Sequence, residues 1–192
     1  MRPEFCEFIA ENEWVEIKPN FNGEQLQLIC GDIGPFEAGV PLSVPLWVAV
    51  FLKKKHSCEI ILPEWLTLES LGKMIVAEND SPSFSRIPKH FIEMAHTILY
   101  YFKDDIVNGD QIKTCVLDVW DRRVAKMRSS TLKFLSEWVE LTVTLRLFQA
   151  NSSHARLDNI TFFEVCYAKP PILEAIKNIR DFHTVLNSVR PS

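Results

Sequence analysis

The sequence predicts an α+β fold, with a small β-rich N-terminal domain (residues 1–62) followed by a larger α-helical domain (residues 63–192). Three observations predict it. Strand-like alternation and turn residues are concentrated before residue 63. After it, apolar residues recur three and four apart, the spacing of a helix face. Pro63 and Trp65 stand where one pattern gives way to the other.

Within the first part, EWVEIKPNF alternates apolar Trp14, Val15 and Ile17 with charge and ends at Pro19, as a half-buried strand does. LQLIC follows an Asn22-Gly23 turn, so the two runs are expected to form a hairpin. GDIGPFEAGVP reads as turn chemistry, because its glycines and prolines suit neither helix nor interior strand. Pro45 stands at a helix start, and Leu46–Lys55 fits a helix whose lysines favour its C-terminal dipole. CEIILP reads as a third strand closed by Pro63.

The second part opens with a helix carrying Leu68, Leu71 and Ile75 on one face. SPSFSRIP is a linker, and the next helix repeats Phe91, Met94, Ala95, Ile98 and Phe102. Asn108-Gly109 breaks it, and a long helix runs from near Asp110 to at least Phe134. Thr161 and Glu164 have the spacing of a capping box, in which hydroxyl and carboxylate satisfy opening amides reciprocally. A short helix is expected there, interrupted by Pro170-Pro171. A final helix carries Ile172, Ile176, Ile179 and Leu186.

At 192 residues and 47% hydrophobic the chain has enough apolar surface for a core, which excludes global disorder. A net charge of −4 argues against a protein whose main task is coating nucleic acid. Its five cysteines are odd in number and scattered, the pattern of reduced thiols in a cytosolic or nuclear protein. The N-terminus lacks the apolar core of a signal peptide. Val44–Leu52 is about half the ~20 residues needed to span a bilayer, so no membrane anchor is expected.

No phosphate-binding glycine loop, nucleophile elbow or zinc-ligand spacing occurs, and no catalytic or metal site is expected. Asp104-Asp105 reads as a solvated helix end. In the long helix, Ile112, Val116, Val119, Trp120, Val124, Met127 and Phe134 share one side. With Cys115, Leu117 and Leu135 the apolar arc widens to about 200°, against the ~100° that one packed face requires. Such a helix must be covered on two sides. Arg123 projects near the centre of that arc, where a charge needs a partner. A neighbouring protein's carboxylate or an intrachain acid would both serve. Asp118 and Arg122 read as a solvated pair. The basic set Arg122, Arg123, Lys126 and Arg128 spreads too widely for one nucleic-acid face.

Read in order, PNF (Pro19–Phe21), GPF (Gly34–Phe36), VPLW (Val44–Trp47), PEW (Pro63–Trp65), WDRRVAKMR (Trp120–Arg128) and ARLDNITFFE (Ala155–Glu164) resemble the Psf-two-type subunit family of the eukaryotic GINS complex. The resemblance implies a nuclear, non-catalytic, cofactor-free subunit of a heterotetramer, with the β-rich domain first. It implies three other GINS subunits as partners, together with the MCM helicase ring and its RecJ-derived cofactor, in initiation and elongation of DNA replication. Any DNA contact is at most indirect.

On this reading Val116, Val119, Trp120, Arg123 and Met127 form a candidate subunit interface, with Ile176 and Ile179 as a second patch. Arg123→Glu is expected to break assembly and spare the isolated fold. Pro45, Trp47, Pro63 and Trp65 form a candidate domain junction of buried aromatics, with Lys53–Lys55 as its wet rim. The alternative is a nucleic-acid-binding adaptor using Lys53–Lys55, Arg122, Arg128 and Lys133. One stretch departs from the family: residues 129–154 run longer than its pattern allows. Within them Val139–Leu147 alternates strictly, and it extends the long helix, adds a strand or reflects translated intron sequence.

Overall fold

A computed structural model describes residues 3–29, 31–55, 57–143 and 158–189. The chain begins with α1 (Pro3–Ala10), β1 (Trp14–Pro19), β2 (Leu26–Leu28), β3 (Gly31–Ile33) and β4 (Leu42–Pro45). α2 (Leu46–Lys54) and β5 (Cys58–Ile61) complete a small sheet region. The helical part consists of α3 (Leu68–Asp80), α4 (Phe91–Tyr101), α5 (Gly109–Val143) and α6 (Phe162–Val189). The α+β class is therefore the one the sequence predicts.

β1 is the middle of a three-stranded sheet, antiparallel to β4 on one side and β5 on the other. Its alternation buries Val15, opposite Val44, and Ile17, opposite Ile60. Pro19 falls on the last residue of the strand, where its missing N–H does least damage to the ladder.

The expected hairpin between β1 and LQLIC does not form. β2 pairs with β3, Leu26 opposite Ile33 and Leu28 opposite Gly31, so part of the turn-rich stretch is strand after all. Gly23 instead exchanges backbone hydrogen bonds of 2.8 and 2.9 Å with Phe36, and the rings of Phe21 and Phe36 stack 5.2 Å apart. A side chain on residue 23 would come 3.0 Å from the Phe21 ring. Glycine is needed there for close approach.

α1 has no counterpart in the sequence reading. It buries Cys6 and Ala10 against α4 and α6 while its acids, Glu4 and Glu7, face out. The acids that deny this segment a signal peptide's character mark the wet side of a short amphipathic helix. The first eight-residue helix thus belongs to the packing of the helical part.

In the helical part, all five apolar residues predicted for α4 (Phe91, Met94, Ala95, Ile98 and Phe102) are buried. Asn108, at φ 62°, makes the left-handed turn before α5, a conformation asparagine tolerates. α5 then continues through Val143, so Val139–Val143 extends the long helix. The remainder of the alternating segment, from residue 144 onward, lies outside the described residues.

α6 is continuous, where the sequence predicts a break at Pro170-Pro171. The prolines cannot donate to the carbonyls of Cys166 and Tyr167, but their fixed φ is itself helical. Cys166 and Ala168, just before them, pack inward and hold the helix in place. One apolar core runs from Val15, Ile17 and Val44 of the sheet to Phe91, Ile98, Phe102 and Val119 of the helices. A smaller cluster joins Phe84, Val124 and Met127 with Trp120, Ile160 and Ala168.

Candidate subunit interface

The passage between sheet and helices is tied by charge as well as by apolar packing. Lys53, from α2, lies 2.5 Å from Asp105, whose second oxygen accepts the Ile60 N–H at 3.3 Å. Both side chains are largely buried, so Asp105 is not the solvated helix end its neighbour Asp104 suggests. Lys54 lies over the Tyr101 ring and Lys55 over Phe51, at 4.8 and 4.6 Å. Pro45 is buried at the start of α2, and half-buried Pro63 leads into Trp65, whose ring tilts against Phe91 at 5.5 Å. Trp47, expected to be buried with them, is 38% exposed because it starts the outward face of α2. Asp105→Ala leaves Lys53 and the Ile60 amide unpaired, and is expected to cost about 1.5–3 kcal/mol in urea unfolding. A loss below 0.5 kcal/mol, roughly that of an ordinary surface change, would show that the tie contributes nothing.

The centre of the helical part is a buried ionic clamp around Arg123. Its side chain is 1% exposed. Nε and Nη2 donate to the two oxygens of Glu164 at 2.5 and 2.9 Å, a bidentate fork. Nη1 donates to Glu78 at 3.1 Å and to the Ser85 carbonyl at 3.0 Å, and Nη2 to the Asn159 carbonyl at 2.8 Å. Every guanidinium N–H therefore has an acceptor. The guanidinium carbon also sits 5.0 Å over the Phe84 ring.

The acids have further partners. Glu164 also accepts the Thr161 N–H at 2.7 Å, while the Thr161 hydroxyl accepts the Glu164 N–H at 3.3 Å, the capping box the sequence predicts. Glu78 accepts the N–H and hydroxyl of Ser85. Lys126 lies 2.8 Å from its other oxygen, a charge contact outside hydrogen-bond geometry. Two cations thus face two carboxylates. Burial pushes the Glu78 carboxyl up, but Lys126, Ser85 and Arg123 outweigh it and hold it below the usual range. Burial likewise disfavours the Arg123 charge, and Glu164 and Glu78 reverse that, raising its pKa.

This overturns the role given to Arg123. Of the two kinds of partner left open for Arg123, the chain supplies the intrachain one, as two acids, and the side chain has no surface to offer. Val116, Val119 and Met127 are buried within the chain's own packing, the first two in the main core and Met127 in the smaller cluster. Trp120 is half-buried, its ring 5.6 Å from Phe163 and 5.3 Å from Tyr167. Ile176 and Ile179 are half-buried on α6. The pairing of Asp118 with Arg122 is replaced by a bond from Arg122 to Asn79.

Among the described residues, exposed apolar surface lies beside the predicted ones. A groove of about 560 Å³ between α5 and α6 is lined by Val124, Arg128, Leu132, Tyr167, Pro171 and Ile172. Leu132 on α5, with Leu173, Phe182 and Val185 on α6, is more than half exposed. The one sequence signal for this surface is the excess width of the apolar arc: its centre is the chain's own core, and Leu117, at its edge, is half exposed.

Glu93 stands apart from the clamp. It is 2% exposed, one oxygen has no hydrogen-bond partner among the described residues and the other is 3.5 Å from His90. Burial pushes its carboxyl up. A carboxyl raised in the folded state loses stability as pH climbs from the unfolded pKa through the folded one. Glu93→Gln is therefore expected to raise the Tm at pH 8 and not at pH 4. Equal shifts at the two values would show that charge is not the cause.

Among the described residues no three His, Cys, Asp or Glu side chains gather as a metal site, and no helix is long and apolar enough to cross a membrane. The described residues thus form a helical bundle with a small sheet region in front, clamped internally and exposing apolar side chains along two helices. Residues 65–179 match the family described as the GINS complex protein helical bundle domain, and residues 2–61 the PSF2 N-terminal domain. A probable DNA replication complex GINS protein PSF2 of Brugia malayi is 46% identical, over 95% of this chain and 92% of its own. The DNA replication complex GINS protein PSF2 of Homo sapiens is 35% identical, over 94% and 91%. The Schizosaccharomyces pombe protein of the same description is 31% identical, over 93% and 88%. The chain belongs to the PSF2 family of GINS proteins.

Proposed function

We propose that this chain is a non-catalytic subunit of a heterotetrameric GINS-type DNA replication complex, built of a sheet domain (1–62) and a helical domain (63–192). It works in the nucleus with three other GINS subunits. Through that assembly it supports the MCM helicase ring and its RecJ-derived cofactor in initiation and elongation.

The observation that carries this reading is the family match along nearly the whole chain, joined to apolar side chains on α5 and α6 that stand exposed among the described residues. An exposed apolar surface of that kind marks a protein contact. The direct DNA adaptor draws on Lys53 and Arg122, which are engaged inside the chain, and keeps Lys54, Lys55, Arg128 and Lys133, which are exposed.

The test is co-expression with the three other subunit types, followed by size-exclusion chromatography with mass determination. A stoichiometric four-chain particle is expected. A soluble monomer that ignores those partners would sink the proposal.

A further inference from the structure

Between α3 and α4 the chain runs Ser81-Pro82-Ser83-Phe84-Ser85 with no helix or strand. Phe84 is packed with Val124 and Met127, and Ser85 is engaged by Glu78. Ser81 and Ser83 sit at the outer corner. The Ser81 hydroxyl is 2.7 Å from that of Ser83 and accepts its N–H at 3.1 Å, and Pro82 and Ser83 are exposed.

Two cations, four residues apart on α5, reach this corner. Lys126 donates to the carbonyls of Ser81 and Ser83 at 2.7 and 3.0 Å. Arg122 donates to Asn79, two residues before Ser81. Lys126 is thereby divided between a buried carboxylate and a turn whose hydroxyls carry no charge. Ser81 itself is extended, at φ −111° and ψ 136°, as the residue before a proline tends to be. Ser81 is half-buried between exposed neighbours and α3, and a serine followed directly by proline on irregular extended backbone is what a proline-directed protein kinase accepts.

We propose that Ser81 is a phosphoacceptor for a proline-directed kinase, and that Lys126 and Arg122 are the receptor for its phosphate. In the transfer, Ser81 Oγ bonds to the γ-phosphorus of ATP as the bond to the β-phosphate bridging oxygen breaks. The hydroxyl proton passes to the kinase's base, ADP departs, and nothing is oxidised.

Two local fields then compete. The C-terminal end of α3, with Asp80 and Glu78, repels the new charge. Lys126 and Arg122 attract it through charge-assisted hydrogen bonds, which act at contact and prevail over the partial charge of a helix end. Lys126 turns from Glu78 to the phosphate. Glu78 keeps Arg123 and Ser85, and the α3–α4 link becomes pinned to α5. The site stands independently of the family reading.

The test uses the full chain, a proline-directed kinase and magnesium ATP. Intact mass is expected to rise by one phosphate in the wild type and not in Ser81→Ala. In a phosphorus NMR titration the phosphoserine is expected to ionise about half a pH unit or more below the ordinary value near 6. Arg122→Ala removes a half-buried side chain bonded to Asn79 and is expected to return part of that shift, with Lys126→Gln returning more. Absence of phosphate at Ser81 overturns the acceptor. A phosphoserine that titrates at the ordinary value in the wild type overturns the receptor, even if Lys126→Gln fails to fold.

Discussion

Arg123→Ala is expected to cost about 3–5 kcal/mol, the range for removing one partner from a buried ion pair. Against a total stability of about 5–15 kcal/mol, that is enough to leave the helical part partly unfolded at 37 °C. The magnitude follows from what stays behind. Glu164 loses both bonds of its fork, Glu78 loses one cation, and the carbonyls of Ser85 and Asn159 lose their donor. Arg123→Glu is expected to be worse, because a third carboxylate enters a site that already holds two. That reverses the expectation that the charge swap spares the isolated fold. Guanidinium unfolding with circular dichroism reads the loss, and a cost under 1 kcal/mol would show that the clamp contributes little.

The same clamp sets an acid limit. A carboxyl depressed in the folded state contributes stability above its unfolded pKa and loses it as pH falls through the folded value. Glu78 is the depressed one. Wild-type stability is therefore expected to fall as pH drops from the ordinary carboxylate value towards the folded one, with the Glu78 part of that slope absent in Glu78→Gln. The raised Arg123 pKa adds a contribution present below the unfolded arginine value, and so constant across any working pH.

Leu132→Asp and Leu173→Asp are expected to abolish co-elution with partner subunits while leaving the chain's own unfolding midpoint nearly unchanged. Both side chains are more than half exposed, so a carboxylate there remains hydrated in the free chain, with a cost within about 0.5 kcal/mol. In an assembly the same carboxylate would be buried without a partner. A hot-spot loss of at least 2 kcal/mol, about 30-fold in affinity, is the expected scale. Val119→Asp is the contrast: Val119 is fully buried, and its replacement is expected to unfold the chain with or without partners. If Leu132→Asp and Leu173→Asp assemble normally, the subunit contact lies elsewhere.

Several elements were legible because their signals are local. The alternation of Val15 and Ile17, the helical spacing of Phe91 to Phe102, and the three-residue separation of Thr161 and Glu164 each state a backbone geometry within one segment. The candidate interface was only half legible. Apolar spacing identified the inner face of α5, but a period cannot tell a face covered by the same chain from one left for a partner. Val119 and Leu117 lie on the same apolar arc and have opposite fates, one buried and one half exposed.

By itself, then, the sequence determined the fold class, the order of the parts, most helix faces and the absence of recognisable catalytic motifs, because these rest on near-neighbour periodicity and residue chemistry. Tertiary structure alone decided that β1 sits between β4 and β5, that α1 docks on α4 and α6, and that Asp105 is buried under Lys53. It alone decided that Arg123 meets Glu78 and Glu164, partners 45 and 41 residues away. A charge on an apolar arc announces that it needs a counter-charge. Which acid answers depends on how α3, α5 and α6 come together in space, and residue spacing along the chain does not carry that.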